Sequence, residues 1–291
     1  LLYHRVADLA DDRLGLGVHP ERFAAQMAKL AARGNVVPLS AAPPPGTVSV
    51  TFDDGYADNL HTALPILLDH GIPATLFAST GHIARRRAFW WDEVGRLVHD
   101  APRDAGPLRL GHGANARVWP SCGPEARAVA ARQIHQWLQA KPPEEIEALL
   151  RMLRVWAGRP ADPAPAPEAD RPMTVDELRE FAAADGMLVG AHGRTHPSLA
   201  AVTATRQEEE IVGSREDLAA WLGRTPTAFS YPFGIPGCDL DREVTARVRA
   251  AGFTHAVINA TVPGRRRPDP WAIPRVVAPD AEGRAFTDLL P

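Results

Sequence analysis

Two adjacent aspartates, Asp53 and Asp54, directly follow a β-branched run over residues 47–52, and two histidines, His192 and His196, follow a second strand-like run over 187–191. Four residues apart, the histidines are expected on one side of a helical turn, which lets both imidazoles approach a single ion. One carboxylate completes a two-histidine, one-carboxylate set with positions left for water and substrate. Adjacent aspartates on an extended chain cannot both face that ion, so they divide the work. One ligates, and the other takes a proton from water that the ion acidifies. The chemistry expected is metal-assisted hydrolysis. Each piece alone has an ordinary reading: Asp-Asp-Gly is a common turn, HxxxH arises by chance, and Tyr231-Pro232-Phe233-Gly234 can be a packing turn. Their joint placement at the ends of strand-like runs points to a site, because α/β folds put their chemistry there.

The elements that must position these residues follow from pattern. Residues 1–6 read as a short buried strand. A helix is expected over 20–33, with Phe23, Met27 and Leu30 on one face and Gly34 as its stop. A strand over 47–52, a helix over 60–70 ending at Gly71 and a strand over 74–78 make a parallel βαβ unit. From about 82 to 172 the rhythm breaks. Helices are expected over 89–99, 125–139 and 143–157, without a strand, and a proline-rich stretch over 159–172 closes the segment. We read it as a helical insertion with a loose linker. Order resumes at Thr174-Val175-Asp176-Glu177, a capping box that opens a helix to about residue 184. Strands over 187–191, 227–231 and 255–259 then alternate with helices over 204–222 and 242–251. The fold class is α/β, a barrel or a doubly wound sheet.

Composition narrows the function. The 291 residues are 45% hydrophobic and 23% charged, a globular balance that excludes disorder. A net charge of −3 supplies no general basic field, so no nucleic-acid partner is expected. No apolar run reaches the roughly 18–20 residues of a membrane span. Cys122 and Cys238 are too far apart for a zinc knuckle or a redox pair. A cytoplasmic location is expected unless a signal or anchor precedes Leu1, where the chain opens inside a strand-like run without Met.

Thr51-Phe52-Asp53-Asp54-Gly55, His192-x-x-x-His196-Pro197-x-Leu199 and Tyr231-Pro232-Phe233-Gly234 together resemble the polysaccharide deacetylase family, carbohydrate esterase family four. Tyr3-His4, Gly252-Phe253 and Ile273-Pro274-Arg275 are similar to further fragments of it. The resemblance runs from Leu1 to about Val277, interrupted by the insertion, and implies one catalytic domain over 1–291. It implies a distorted (β/α)7-type barrel, a divalent metal that is zinc or in some members cobalt or nickel, and removal of acetyl groups from an N-acetylated carbohydrate, here a bacterial glycan. Carried over by motif, Asp54, His192 and His196 match the metal ligands and Asp53 the base. Tyr231 and Phe233 match the substrate-binding turn, with the Phe233 N–H placed to stabilise an oxyanion.

Two departures stand out. The third motif usually begins with an arginine that orients the base; here it begins with Ser230, and Arg275 is the candidate to supply that guanidinium from a later strand end. The family's late histidine, which donates a proton to the leaving amine, is also missing; His255 and His4 are the candidates. Other readings keep the same residues: hydrolysis of another small amide or an O-acetyl ester, or a glycan-binding protein without turnover. Trp90, Trp91 and Trp271 are either sugar platforms or core, and the runs Arg85-Arg86-Arg87 and Arg265-Arg266-Arg267 either bind an acidic glycan or face solvent.

Overall fold

The computed structural model describes residues 1–9, 12, 14–260 and 269–291, so the Arg265-Arg266-Arg267 run lies outside the described residues. Two compact units make up the chain: residues 1–85 with 172–291, and residues 86–171.

In the first unit seven parallel strands follow one another in chain order: β1 (Leu2–Tyr3), β2 (Val50–Phe52), β3 (Ala74–Ala78), β4 (Met187–Ala191), β5 (Ala228–Ser230), β6 (His255–Ile258) and β7 (Ile273–Pro274). The sheet curls until its edges meet. Leu2 N–H donates to the Val276 carbonyl at 2.8 Å, and Ala278 N–H donates to the Leu2 carbonyl at 2.9 Å. This is the distorted (β/α) barrel, and closure removes the exposed edges that an open sheet would present. Neighbouring β4 and β5 share the single pair Ala191 and Phe229, as the closing seam has the single bridge Leu2–Val277.

Helices cover the barrel through apolar stripes at helical spacing. The first, α1 (Pro20–Arg33), buries Phe23, Met27 and Leu30 completely, each contributing about 1.5–3 kcal/mol. It ends at Gly34 in the left-handed conformation (φ 65°), as the glycine stop predicts. The helix expected over 60–70 opens as a π turn, Asn59–Ala63, before α2 (Leu64–Asp69). Pro65 in its first turn has no N–H to donate, which favours irregular bonding there. The box at Thr174 is formed: its hydroxyl accepts from Glu177 N–H at 3.1 Å and its N–H donates to the Glu177 carboxylate at 2.7 Å. Thr174→Ala should destabilise the first unit by about 1 kcal/mol, read as a lower urea midpoint with an unchanged slope.

The strand expected over 1–6 is broken at His4. Leu2–Tyr3 belongs to the barrel, whereas Arg5–Val6 pairs with Gly17–Val18 in a separate ribbon. His4 therefore stands where the chain leaves β1.

The second unit is mostly helical, with Trp90–Asp100, Pro124–Gln139 and Pro143–Trp156 close to expectation. Strands were not expected in it, yet Leu108–Leu110 pairs antiparallel with Arg117–Trp119. Three residues a side, joined through a glycine-containing loop, carry too little alternation to register as strands. Trp90 and Trp91 pack inside this unit, 4% and 5% exposed, and so belong to its core. Residues 159–167 lack regular structure before a short turn at Glu168–Asp170. Cys122 and Cys238 are exposed free thiols. Among the described residues no helix is long and apolar enough to cross a membrane.

Candidate metal centre

At the carboxyl ends of the strands, three side chains converge. Asp54, His192 and His196 each offer a ligand atom, and these atoms lie within 4.8 Å of one another. All three residues are buried. His192 Nε2 stands 3.7 Å and His196 Nε2 3.6 Å from Asp54 Oδ1. Among the described residues this is the one such cluster of histidine, cysteine and carboxylate groups.

Backbone strain sets these directions. Among the described residues four non-glycines have positive φ, and three of them are Asp54 (73°), His196 (58°) and Phe233 (59°). Such strain persists only where the surrounding structure over-determines it, and it gathers at functional sites. Asp53 still follows the β2 ladder, its N–H donating to the Tyr3 carbonyl at 3.0 Å. The chain then reverses in a γ-turn, Gly55 N–H to Asp53 carbonyl at 2.9 Å. That left-handed step at Asp54 separates the two neighbouring carboxylates. A second γ-turn closes from Gly234 N–H to the Pro232 carbonyl at 2.7 Å, around Phe233.

The histidines are not on a helical turn. Residues 192–198 form an irregular loop, and the reversal comes from left-handed Gly193 (φ 72°) and His196. A Cβ on Gly193 would stand 3.1 Å from the Glu210 carboxylate, so glycine serves both the conformation and the space. Folding back this way brings the imidazole rings to 4.7 Å between centroids. The HxxxH spacing suited both geometries, and loop strain selected the second.

Protonation suits a cation. His192 Nδ1 lies 2.8 Å from the Ser230 carbonyl, which can only accept, so the proton sits on Nδ1 and Nε2 presents its lone pair. Burial lowers the pKa of His192, and burial followed by the neighbouring His192 and His82 lowers that of His196 well below the usual range. Neutral imidazoles and one carboxylate are the donor set for a divalent ion of zinc type, and the residues present fit it.

Asp53 has a separate environment. Arg275 grips it with both arms of the guanidinium, Nη1 to Oδ1 at 2.7 Å and Nη2 to Oδ2 at 2.6 Å. Ser230 Oγ adds a third bond to Oδ2 at 3.1 Å. Burial would raise the pKa of this carboxyl, but Arg275 and then His192 outweigh it, and the group is held well below the usual carboxylate range. Asp53 is therefore a buried anion. Its Oδ1 accepts one of these bonds and Oδ2 two, which leaves a lone pair on Oδ1 for a proton.

The other candidates separate by position. Arg275, just past β7, meets the site; Ser230 bridges it to Asp53 in the place where the motif usually has arginine. His255 opens β6 opposite Ala228, the first residue of β5, so it lies at the amino ends of strands whose carboxyl ends form the site. His4 lies at the site's end. Burial pushes it down to about 4, and Asp53, Arg275 and His192 all act on it. Tyr231 is fully buried in the core, its hydroxyl donating to the Trp271 carbonyl, whereas the Phe233 ring packs on His196 at 4.6 Å. Trp271 is half-buried beneath Arg249.

Two neighbours were not foreseen. Asn259 accepts from Arg275 Nη2 at 2.5 Å and donates to the Phe233 carbonyl at 2.9 Å, tying the arginine to the second γ-turn. Its place directly after β6, at the same end as the other site residues, was the available signal. Glu210 receives both backbone N–H groups and the hydroxyl of the loop between the histidines. It occupies the buried stripe Gln207, Glu210, Ile211, Ser214, Leu218, where a carboxylate at helical spacing among core positions was the sign.

A family profile described as polysaccharide deacetylase matches residues 40–102 and 135–256, well over half of the chain. The matched stretches contain both aspartates, both histidines and the Tyr-Pro-Phe-Gly turn, and leave Arg275 outside. No curated protein matches the sequence. Solved structures do. The Streptococcus pyogenes deacetylase PplD, in complex with acetate, aligns with a TM-score of 0.63 at 15% identity, covering 100% of this chain and 96% of that one. A polysaccharide deacetylase from Bacillus cereus aligns at 0.59 and 18% identity, covering 100% and 68%. A de-N-acetylase from Aggregatibacter actinomycetemcomitans aligns at 0.59 and 14% identity, covering 100% and 98%. At these identities the likeness speaks for the fold.

Proposed function

The chain belongs to the polysaccharide deacetylase family, and from that premise we propose that it is a metal-dependent hydrolase that releases acetate from an N-acetylated glycan. Asp54, His192 and His196 are assigned as the ligands of one divalent ion, zinc first, with cobalt and nickel able to use the same donors. Asp53 is assigned as the base. The observation that carries this reading is a buried carboxylate, held ionised by Arg275, beside three ligand atoms within 4.8 Å of one another.

When bound, the ion would supply Lewis acidity, polarising the acetyl carbonyl and acidifying water. The rest falls to side chains. Asp53 takes the proton of the attacking water on Oδ1, while Arg275 and Ser230 keep the carboxylate from turning. Asn259 holds the Phe233 turn, and the Phe233 N–H is assigned as the donor to the developing oxyanion. The carbon–nitrogen bond then breaks, and the leaving amine needs the proton that Asp53 took. His4 is assigned as the relay. At a pKa of about 4 it is neutral in neutral solution, able to accept on one ring nitrogen and release from the other. His255 has no such access. All of these residues lie in the first unit, and the second enters the sequence between β3 and β4 as an insertion in the catalytic domain.

Acetate release from N-acetylglucosamine oligomers and acetylated polysaccharides, with zinc-, cobalt- and nickel-loaded protein, tests the reading. Release by the wild type and its loss in Asp54→Ala, together with loss of bound metal, are expected. One tightly bound metal per chain with no acetate from any glycan would move the substrate to another amide or an ester. No metal and no release would leave a glycan-binding protein. His4→Ala should lower kcat by about 10²–10⁴-fold with metal content unchanged; equal activity would remove the relay assignment.

A further inference from the structure

The loop that carries His196 is fastened from neighbouring elements, beginning with Thr80 N–H and Gly81 N–H, which donate to the Gly193 and Arg194 carbonyls at 3.1 and 2.8 Å. Between the two histidines, Arg194 N–H and Thr195 N–H both donate to Glu210 Oε2, at 2.6 and 2.7 Å, and Thr195 Oγ1 donates to Glu210 Oε1 at 2.5 Å. Glu210 projects from α3 (Ala204–Leu222) and is 1% exposed. Its charge is met by Arg206, one turn earlier, at 3.4 Å. The loop thus has a carboxylate as its floor. Two consecutive N–H groups aimed at one oxygen hold the backbone in the reversal that Gly193 and His196 require.

A second tether sits further along the same helix. Arg194 makes a two-armed pair with Asp217, at 2.8 and 2.7 Å, and crosses Gly213, where a Cβ would come within 2.4 Å of the guanidinium. Asp217 also accepts from Thr80 Oγ1 at 2.7 Å. This pair is partly exposed, at 39% and 25%, so water can replace it. Nothing replaces a carboxylate that is 1% exposed.

We infer that Glu210 is a positioning residue for the metal ligands: it fixes the loop between His192 and His196 and thereby where His196 Nε2 stands relative to Asp54 and His192. The inference rests on the metal-site reading above. Glu210 is not itself a ligand. It touches the backbone between two ligands, at Arg194, two residues from each, and at Thr195, three residues from His192 and one from His196. Outer partners that orient metal ligands typically change affinity by about 10–100-fold when removed.

The full-length protein, stripped of metal, is titrated with zinc against a chelator and with cobalt by visible absorption. Glu210→Gln keeps the shape of the side chain and replaces one acceptor oxygen by a donor. It should bind zinc about 10–100-fold more weakly and give an altered cobalt spectrum, while its metal-free melting temperature stays within a few degrees of the wild type. Thr195→Val removes only the hydroxyl bond and should weaken binding by a smaller factor in the same direction. Asp217→Asn, at the exposed tether, should leave zinc affinity and the cobalt spectrum nearly unchanged. Wild-type affinity and spectrum in Glu210→Gln would overturn the inference. If Glu210→Gln does not fold, Thr195→Val decides: weakened binding with an altered spectrum supports the role, and unchanged binding ends it. A wild type that binds neither metal defeats the metal-site reading itself, an outcome distinct from any of these.

Discussion

Asp53→Asn is expected to lower kcat for acetate release by about 10²–10⁴-fold while the protein keeps one bound metal per chain. Asparagine has the shape of aspartate but no lone pair basic enough to take a proton from water. The assigned ligands Asp54, His192 and His196 are untouched by the change, so metal content separates the two aspartates. Asp54→Ala should lose metal and activity together; Asp53→Asn should lose activity alone. Acetate assays paired with metal analysis of the same preparations make the comparison. A kcat within threefold of the wild type would remove Asp53 from the role of base.

Arg275→Met should cost about 3–5 kcal/mol of stability and reverse the sign of one pH dependence. The substitution leaves a carboxylate that is 0% exposed without its cation. In the wild type the folded pKa of Asp53 lies below its unfolded value of about 4. Its contribution to stability is therefore fully present above about pH 4 and is lost as pH falls through the folded pKa. Without Arg275, burial, the largest influence on this group, pushes the folded pKa above the unfolded one. The unfolded chain then binds fewer protons than the folded one from about pH 4 upward, so stability falls as pH rises there. Urea unfolding of metal-free protein at several pH values checks this, and the deficit of Arg275→Met relative to wild type should widen toward neutral pH. The acid limb of kcat/KM should move to higher pH in the same variant, because the base now ionises later. A deficit that is constant across pH would separate Arg275 from the ionisation of Asp53.

The parts of this site that could be read from sequence are those whose spacing is short. Asp53-Asp54 and His192-x-x-x-His196 announce themselves because donor types recur within five residues, and the strand runs ahead of them supply the direction. Arg275 was legible as a candidate to orient the base only through the family resemblance. Its contact with Asp53 spans 222 positions, and no local pattern distinguishes a clamp from a surface arginine. Glu210 lies within Glu208-Glu209-Glu210, three identical side chains of which one faces inward; only the stripe shared with Gln207, Ile211 and Leu218 separates it. The helical turn expected for the histidines failed for a related reason. A separation of four residues fits a helix and a tight reversal alike, and the reversal here goes with left-handed Gly193 and with the Glu210 carboxylate on the following helix. His255 misled because histidine type was read without strand direction: the residue opens its strand, and the chemistry sits where strands finish.

Barrel closure between Leu2 and the 276–278 segment has a consequence for how the protein comes into being. Asp53 emerges from the ribosome before the arginine that pairs with it, which follows 222 residues later. At about 5–20 residues per second, that delay is on the order of 10–40 s. Until then the nascent chain holds a carboxylate with no cation to be buried against, and a first strand whose second neighbour has not been made. The half-made sheet therefore gains little by packing early, and β7 with the segment that follows it serves as its latch. A nascent chain has no assembled Asp53–Arg275 pair until β7 and the residue after it have been made, and release of that strand sets the moment at which the site can first form.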